Sequence, residues 1–446
     1  MVATSAVSSF LFDSNGNNGN NKQRGGTDDL PEEVVIDIIA RLPPKSVVSF
    51  KLVCKQYKSL TESAFFRDIY RRNFYAASSS NCSILHGGHH LLLEHSSLEL
   101  LKLDLPSPSS LGDSFFASVL AQEEIRVAAC ADGLVLLRLN EKDMKKTRYY
   151  IGNPVLPQWI QLPPPPSTQD LTFLFPGFSV TGLVTRMHNG SLLAYKVVRL
   201  HIEALKWSFE IFSSDTGEWS VTQVSCPVHY GVSMFGIFNP VSLNGKLHWL
   251  DHSRRIIIVH DFFEAHHHDE DQLRVISLPA SMQGIEPRRF GMYFSPTPSA
   301  KMICTTSQGY FVLVDAGLLQ EVKSSYNVRV WRLKCDVDSW NWQKAWEINM
   351  ASVGLPLNCV PMAVNCFDIH IIYLWDLDLK CFLSFNLLAN TISYVTRKDG
   401  VYTGNNPFVF HDPMAVDGVV YKEDKLCFEQ HPCLFHFVPS LQVVPS

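Results

Sequence analysis

The densest group of potential metal ligands is the segment 266–271, which reads His-His-His-Asp-Glu-Asp. Imidazole nitrogens and carboxylate oxygens bind zinc and other transition metals. Adjacent residues in one polar loop rarely bring their donor atoms to a single point, and this loop lies between two predicted strands. We therefore interpret it as a solvated loop, with adventitious metal affinity as the alternative, and we expect neither a metal site nor a cofactor.

Pairs of acids at a spacing of two, Asp336 with Asp338 and Asp376 with Asp378, could supply a general acid and a general base. Their strand and turn context favours turn residues instead. The sequence contains no phosphate-binding glycine loop, Gly-x-Ser-x-Gly motif or His-Glu-x-x-His motif, so we expect no catalytic residue. Tryptophans that recur in successive strand groups could line a ligand face, although core packing explains the repetition more simply. They are Trp159, Trp219, Trp342 and Trp346.

The composition indicates a folded protein. The chain has 446 residues, 46% of them hydrophobic and 18% charged, with a formal net charge of −5. This mildly acidic balance argues against a nucleic-acid partner, and the sequence shows neither a membrane helix nor a secretion signal. The eleven cysteines are scattered and form no Cys-x-x-Cys pair. They are typical of reduced thiols, so we expect a cytoplasmic or nuclear protein, or one found in both compartments.

Residues 1–27 are rich in Ser, Asn and Gly, and we predict a disordered tail there because they can bury little apolar surface. From residue 28 to 75, apolar residues recur at helical spacing. Pro43-Pro44 ends the first predicted helix. Ser46 and Ser63 are suitable caps for a second helix extending through Tyr57 and for a third. One face of the first helix carries Leu30, Val34, Ile38 and Leu42.

Three short helices bury too little surface to be comfortably stable alone. Either the rest of this chain or another protein must therefore complete their core.

Four short motifs occur in this helical segment at fixed intervals. They are LPEEVVIDIIARLP at 30–43, KSVV at 45–48, VCK at 53–55 and FF at 65–66. In residue type and spacing the segment resembles an F-box. In that family three helices bind a Skp-type adaptor, which links the protein to a cullin–RING ubiquitin ligase.

The resemblance implies an adaptor-binding surface, although packing within the helices is an equal alternative for Ile38. Tyr57 stands where the family usually has Trp, so an aromatic anchor remains but its contact is altered. The residues that the resemblance assigns to the adaptor are Leu30, Pro31, Ile38, Leu42, Pro43, Val53, Cys54 and Tyr57.

Beyond residue 80 the apolar pattern changes to that of β-strands. Glycine turns recur at Gly133, Gly190, Gly245 and Gly309, at intervals of 57, 55 and 64 residues, and a fifth copy without glycine begins at Ile369. Units of three or four strands at this interval predict a mostly β chain with a β-propeller of six to eight blades, seven being the best single number. A pair of β-sandwiches is the alternative.

Two partial copies, at 84–105 and 426–437, could supply further blades or close the ring jointly. The predicted organisation is therefore a tail at 1–27, an F-box at 28–75 and a propeller at 80–446.

Further motifs occur in the β region, including CADGL at 130–134, YYIGNP at 149–154, LNGKLHWL at 243–250 and IVHDF at 258–262. They resemble the F-box-associated domain of plant F-box proteins. The kelch repeat fits less well, because its double glycine with spaced Tyr and Trp is absent from these copies.

The two resemblances together imply the substrate-receptor subunit of an SCF-type ubiquitin ligase. Such a chain performs no covalent chemistry: the F-box binds the adaptor, and the propeller presents an unknown target protein. The alternatives are an enzyme with a propeller fold, a scaffold outside any ligase, and a lectin-like propeller that binds a glycan.

A variant lacking residues 1–27 should retain adaptor binding and its melting temperature, because that segment has almost nothing apolar to bury. Differential scanning fluorimetry and adaptor capture beside the full chain measure both properties. A large fall in melting temperature would show that the segment is structural.

Overall fold

The computed structural model divides into two compact units, residues 1–39 and residues 40–446. It describes residues 31–42, 44–76, 83–86, 91–94, 99–102, 124–140, 147–154, 156, 158–166, 181–188, 191–203, 206–225, 240–251, 254–264, 273–279, 282, 300–318, 326–336, 339–355, 359–376, 381–395, 434–437, 440–441 and 443–445.

The region predicted to be an F-box contains four helices among its described residues, not three. The second predicted helix ends at Phe50 instead of running through Tyr57, because the backbone of Cys54 is extended (φ −159°, ψ 165°). None of the described helices is both long and apolar enough to cross a membrane. The helices are α1 (Glu32–Ile39), α2 (Pro44–Phe50), α3 (Lys55–Glu62) and α4 (Ala64–Ala76).

The rest of the described chain is almost entirely strand, as predicted. The strands are β1 (Ser83–His86), β2 (Leu91–Glu94), β3 (Glu99–Lys102), β4 (Glu124–Ala131), β5 (Leu134–Asn140), β6 (Thr147–Asn153), β7 (Gln158–Gln161), β8 (Thr181–His188), β9 (Ser191–Glu203), β10 (Lys206–Ser213), β11 (Glu218–Ser225), β12 (Val241–Leu243), β13 (Lys246–Asp251), β14 (Ile256–Asp261), β15 (Arg274–Ser277), β16 (Ala300–Ser307), β17 (Tyr310–Leu318), β18 (Tyr326–Asp336), β19 (Ser339–Asn349), β20 (Cys359–Val364), β21 (Ile371–Asp376), β22 (Cys381–Asn386), β23 (Thr391–Val395) and β24 (Leu434–Phe437). A short 3₁₀ turn, Ala351–Val353, follows β19.

Five antiparallel sheets are each made of four consecutive strands: blade I (β4–β7), blade II (β8–β11), blade III (β12–β15), blade IV (β16–β19) and blade V (β20–β23). A further sheet, the composite sheet, has the order β24-β1-β2-β3, and Ser83 of β1 pairs with Phe437 of β24. Strands from the two partial copies therefore join in one sheet.

The first strands of successive blades lie beside one another, from β4 through β8, β12 and β16 to β20. This is the arrangement of a β-propeller, so the sandwich alternative is wrong. The predicted six to eight blades, with seven as the best number, are not found either: the described residues form five consecutive blades and the composite sheet.

The predicted glycine turns join the first and second strands of blades I, III and IV. Gly133, Gly245 and Gly309 have φ of +80°, +76° and +76°, and the residue before each also has a positive φ. Such turns match the twist of a tight hairpin. Each glycine follows a first strand that the sequence analysis missed, and the turn at Gly190 lies outside the described residues.

Both faces of a blade are buried against its neighbours. The residues 134–137 of β5 are all at most 1% exposed, although successive side chains of a strand point to opposite faces. Apolar clusters join adjacent blades, as where Val312 and Val330 of blade IV share a cluster with Ile372 and Leu374 of blade V. The core of the propeller therefore lies between its blades.

His248 of β13 is buried in this core and should make the propeller sensitive to acid. Its Nδ1 lies 3.3 Å from the carbonyl oxygen of Val241, and its ring stacks on Phe311 at 4.8 Å. Burial lowers the pKa of His248 to about 4 from its usual 6.5. The unfolded chain binds a proton that the folded chain does not between these pH values, so the free energy of unfolding falls as the pH falls from 6.5 to 4, by about 3 kcal/mol in all.

The variant His248→Gln should lose this part of the pH dependence in urea unfolding measured between pH 4 and pH 7. Replacing the exposed His188 by Gln provides the control. Identical pH profiles for the wild type and His248→Gln would contradict the prediction.

Candidate adaptor-binding surface

The first helix exposes the face that carries the predicted adaptor residues. Val34 and Ile38 are 42% and 48% exposed, whereas Ile36 and Ile39 are buried. Ile38 therefore does not have the core role that was its alternative. Pro31 is also exposed, and its carbonyl oxygen accepts the first hydrogen bonds of α1, from the amides of Val34 and Val35. Leu30 lies outside the described residues.

The turn between α2 and α3 holds the most exposed apolar side chains of this region. Leu52 is 88% and Val53 65% exposed, while their amides donate to the carbonyls of Ser49 and Phe50 at 3.0 and 3.1 Å. The backbone is thus ordered while both side chains point to solvent. Leu52 was missed, although an apolar residue in a turn between two short helices is a signal for it.

Cys54 follows this turn and is exposed. Its Sγ accepts a hydrogen bond from the amide of Tyr57 at 3.5 Å, so it caps α3. A sulfur acceptor is weak, and the position of Cys54 beside Val53 keeps it on the predicted surface.

Tyr57 is half-buried and packs within the helices. Its ring meets that of Phe50 edge-on, with centroids 5.8 Å apart. The aromatic residue that stands in place of the usual Trp therefore joins α2 to α3, with part of its surface left exposed. Leu42 is half-buried as well, and Pro43 lies outside the described residues.

The longest helix, α4, packs through two buried aromatic residues. Phe66 and Tyr70 are buried with rings 6.1 Å apart, and burial raises the pKa of the Tyr70 hydroxyl. That hydroxyl donates to the carbonyl of Leu42 at 3.3 Å. Ser63 caps α4 as predicted: its Oγ accepts from the amide of Phe66 at 3.1 Å. Lys51 Nζ lies 3.6 Å from Oε1 of Glu62, which ties the exposed turn to the end of α3.

The structure gives little support to the residues considered for metal binding or acid–base chemistry. The segment 266–271, Asp338 and Asp378 lie outside the described residues. Within the described part of the chain, no group of three His, Cys, Asp or Glu side chains could hold a metal ion.

Two deeply buried acids are each paired with an arginine. Glu210 is bound to Arg199, and Asp315 to Arg329. Burial raises the pKa of Asp315, although the charge of Arg329 acts in the opposite direction. The ion pairs account for both carboxylates as structural groups between strands.

Three of the four tryptophans link neighbouring blades. The indole N–H of Trp219 donates to the carbonyl of Pro163, that of Trp342 to Ser277, and that of Trp346 to Ile369, each at 2.8 Å. Every pair joins an outer strand of one blade to residues of the next or preceding blade. The structural interpretation is confirmed for these three residues, and Trp159 is half-buried.

Comparison with known proteins agrees with this arrangement. Residues 28–68 match the F-box domain, and residues 80–441 match the β-propeller described as that of the F-box protein At3g26010-like family. The chain belongs to this family of F-box proteins with a β-propeller domain.

Three Arabidopsis thaliana relatives match over most of their length. The putative F-box protein At3g23950 is 34% identical, the match covering 82% of this chain and 84% of the relative. F-box protein At1g49990 is 31% identical, with 81% and 85% covered. The putative F-box/kelch-repeat protein At1g15680 is also 31% identical, with 83% and 84% covered.

Replacing Ser63 by Ala should lower the free energy of unfolding by about 1 kcal/mol, because the amide of Phe66 loses its cap. Chemical denaturation followed by circular dichroism measures the change. Ser59→Ala, at an exposed position inside α3, is the matched control. Equal stabilities of the two variants would show that the cap contributes nothing.

Proposed function

We propose that this chain is the substrate-receptor subunit of an SCF-type cullin–RING ubiquitin ligase. It binds a Skp-type adaptor through the F-box and a target protein through the propeller. The observation that carries the proposal is that apolar residues of the F-box are exposed: Ile38 in α1, and Leu52 and Val53 in the turn after α2.

Binding an apolar partner surface would remove these exposed side chains from water and so stabilise the complex. Covering side chains of this size yields about 1–2 kcal/mol each when water is excluded. Several of them suffice for a specific interface when the partner is itself apolar and complementary. The ordered turn holds Leu52 and Val53 in place before binding, which limits the entropy lost on association.

The propeller supplies a rigid platform for the target. In each blade the second and third strands, and the connection to the next blade, meet at the side opposite the glycine turns. Variable loops held on such a scaffold are suited to recognition. The ligase then gains its rate by holding the target near the ubiquitin-carrying enzyme.

On this proposal the chain itself is not an enzyme. The pairing of Glu210 and Asp315 with arginines supports this view, since a general acid or base needs a proton that can be exchanged with a substrate. We also place the protein in the cytoplasm or nucleus. Cys54, Cys130 and Cys304 form no disulfide, which supports that placement.

Val53→Asp and Ile38→Asp, each tested alone, should reduce capture of a Skp-type adaptor at least about tenfold, because a charge would enter an apolar interface. Binding is measured with purified full-length protein by biolayer interferometry. Val221→Asp, at a 57% exposed position on β11, controls for the loss of an exposed valine elsewhere. Undiminished adaptor affinity of both F-box variants would refute the assignment.

The ligase step requires a separate measurement. Proteins are co-purified from plant tissue that expresses either the full chain or the Val53→Asp variant. The cullin should be recovered with the full chain but not with the variant, whereas target proteins should be recovered with both. Loss of targets together with the cullin would show that the propeller does not act as the receptor.

A further inference from the structure

The composite sheet differs from the blades in how its first two strands are joined. In blades I, III and IV a two-residue glycine turn connects them. In the composite sheet the first strand, β24, comes from the far end of the chain, and β1 follows α4 after the connection 77–82. Ser83 and Phe437 face each other at this point, which we call the seam. The chain enters the propeller and leaves it at the seam.

The seam is held by few backbone hydrogen bonds. β1 and β24 pair over four residues, from Ser83 with Phe437 to His86 with Leu434. Other edge strands pair over as few residues, as β12 does with β13 over three, but a hairpin turn joins β12 to its sheet, whereas no hairpin joins β24 to β1. Short strand pairs open locally at lower free energy than long ones. Some further contact is therefore needed to keep β24 in place.

That contact comes from residues 440–441 and 443–445, which we call the clasp. The clasp lies on blade I at the end that carries its glycine turn. Ser440 Oγ donates to the carbonyl of Asp132 at 3.4 Å, and Nδ2 of Asn153 donates to the carbonyl of Ser440 at 3.0 Å. The amide of Val444 donates to Oε1 of Gln158 at 3.3 Å.

Apolar side chains of the clasp are buried selectively. Leu441 and Val444 are 5% and 6% exposed, whereas Val443 between them is 48% exposed. Val444 belongs to the same buried cluster as Leu134 and Leu162 of blade I. The clasp is thus anchored in the core of blade I and does not merely lie on its surface.

Both the turn and the close approach of the clasp require glycine at position 133. A Cβ at Gly133 would lie 2.1 Å from Oγ and 2.5 Å from Cβ of Ser440. At Gly309, the equivalent turn of blade IV with a similar φ of +76°, a Cβ would meet nothing within 4 Å. The close approach to Ser440 therefore distinguishes the turn of blade I.

We propose that the clasp locks the seam by tethering β24 to blade I. With the clasp bound, re-pairing of β24 with β1 is an intramolecular step at high effective concentration, so the seam stays closed. Because α4 leads into β1, a closed seam also fixes the point at which the F-box helices are attached. The clasp itself does not depend on the proposed function.

Val444→Asp should release the clasp, because the carboxylate would have to enter the apolar cluster. Native-state hydrogen exchange of the full-length protein should then be about tenfold or more faster in β1 and β24, with blade IV unchanged. Val443→Asp, one residue away and exposed, should exchange as the wild type does. Unchanged exchange in β1 and β24, or equal acceleration in every blade, would overturn the proposal.

A second set of variants tests the same contact without a buried charge. Gly133→Ala should accelerate exchange in β1 and β24, whereas Gly309→Ala, which has the same backbone cost, should not. Adding Ser440→Gly to Gly133→Ala removes the clashing atoms and should restore slow exchange. Equal effects of the two glycine variants, or no rescue by Ser440→Gly, would refute the clasp. Adaptor binding of the same variants is measured in parallel. A protein that fails to bind the adaptor but shows the expected exchange would contradict the F-box assignment and not the clasp.

Discussion

The interaction on which the fold depends is the packing of each blade against both of its neighbours. A four-stranded sheet whose faces are both apolar, such as blade I around residues 134–137, cannot remain uncovered on either side. Each blade therefore needs a neighbour on both sides, and a linear row would leave two faces exposed. Pairing of β24 with β1 brings strands from distant parts of the chain into one sheet, and β24 lies beside β4 of blade I.

Several polar groups of the blades find partners under the same constraint. The buried indole of Trp346 donates to the carbonyl of Ile369 in the next blade, and the half-buried indole of Trp219 donates to that of Pro163 in the preceding one. The carboxylate of Glu210 lies deep in blade II with Arg199 as its counter-charge. An unpaired donor or charge in such a place would cost several times the net value of a hydrogen bond. The indole contacts therefore help to specify how neighbouring blades fit together, whereas the ion pair joins two strands of one blade.

The sequence allowed the class of fold to be predicted because hairpin turns with positive φ restrict the residue type. Gly133, Gly245 and Gly309 stand where such turns occur. Among the first strands that were missed, β12 has only three residues and is too short to show a period. Blade number could not be predicted, since the pairing of β1 with β24 is set by contacts far apart in sequence. The predicted extent of the second helix was wrong because the same apolar spacing also fits two helices separated by a turn.

Apolar periodicity identifies a face of a helix but not what covers that face. In α1 the residues Ile36 and Ile39 are covered, whereas Val34 and Ile38 are not, although all four are of similar type. Only the packing of the folded chain separates the two sets. A region of short helices that leaves such residues exposed loses stabilisation from apolar burial, and a small unit has little such stabilisation. Exposure maintained by an ordered backbone, as at Leu52 and Val53, is the physical feature that an apolar partner would use.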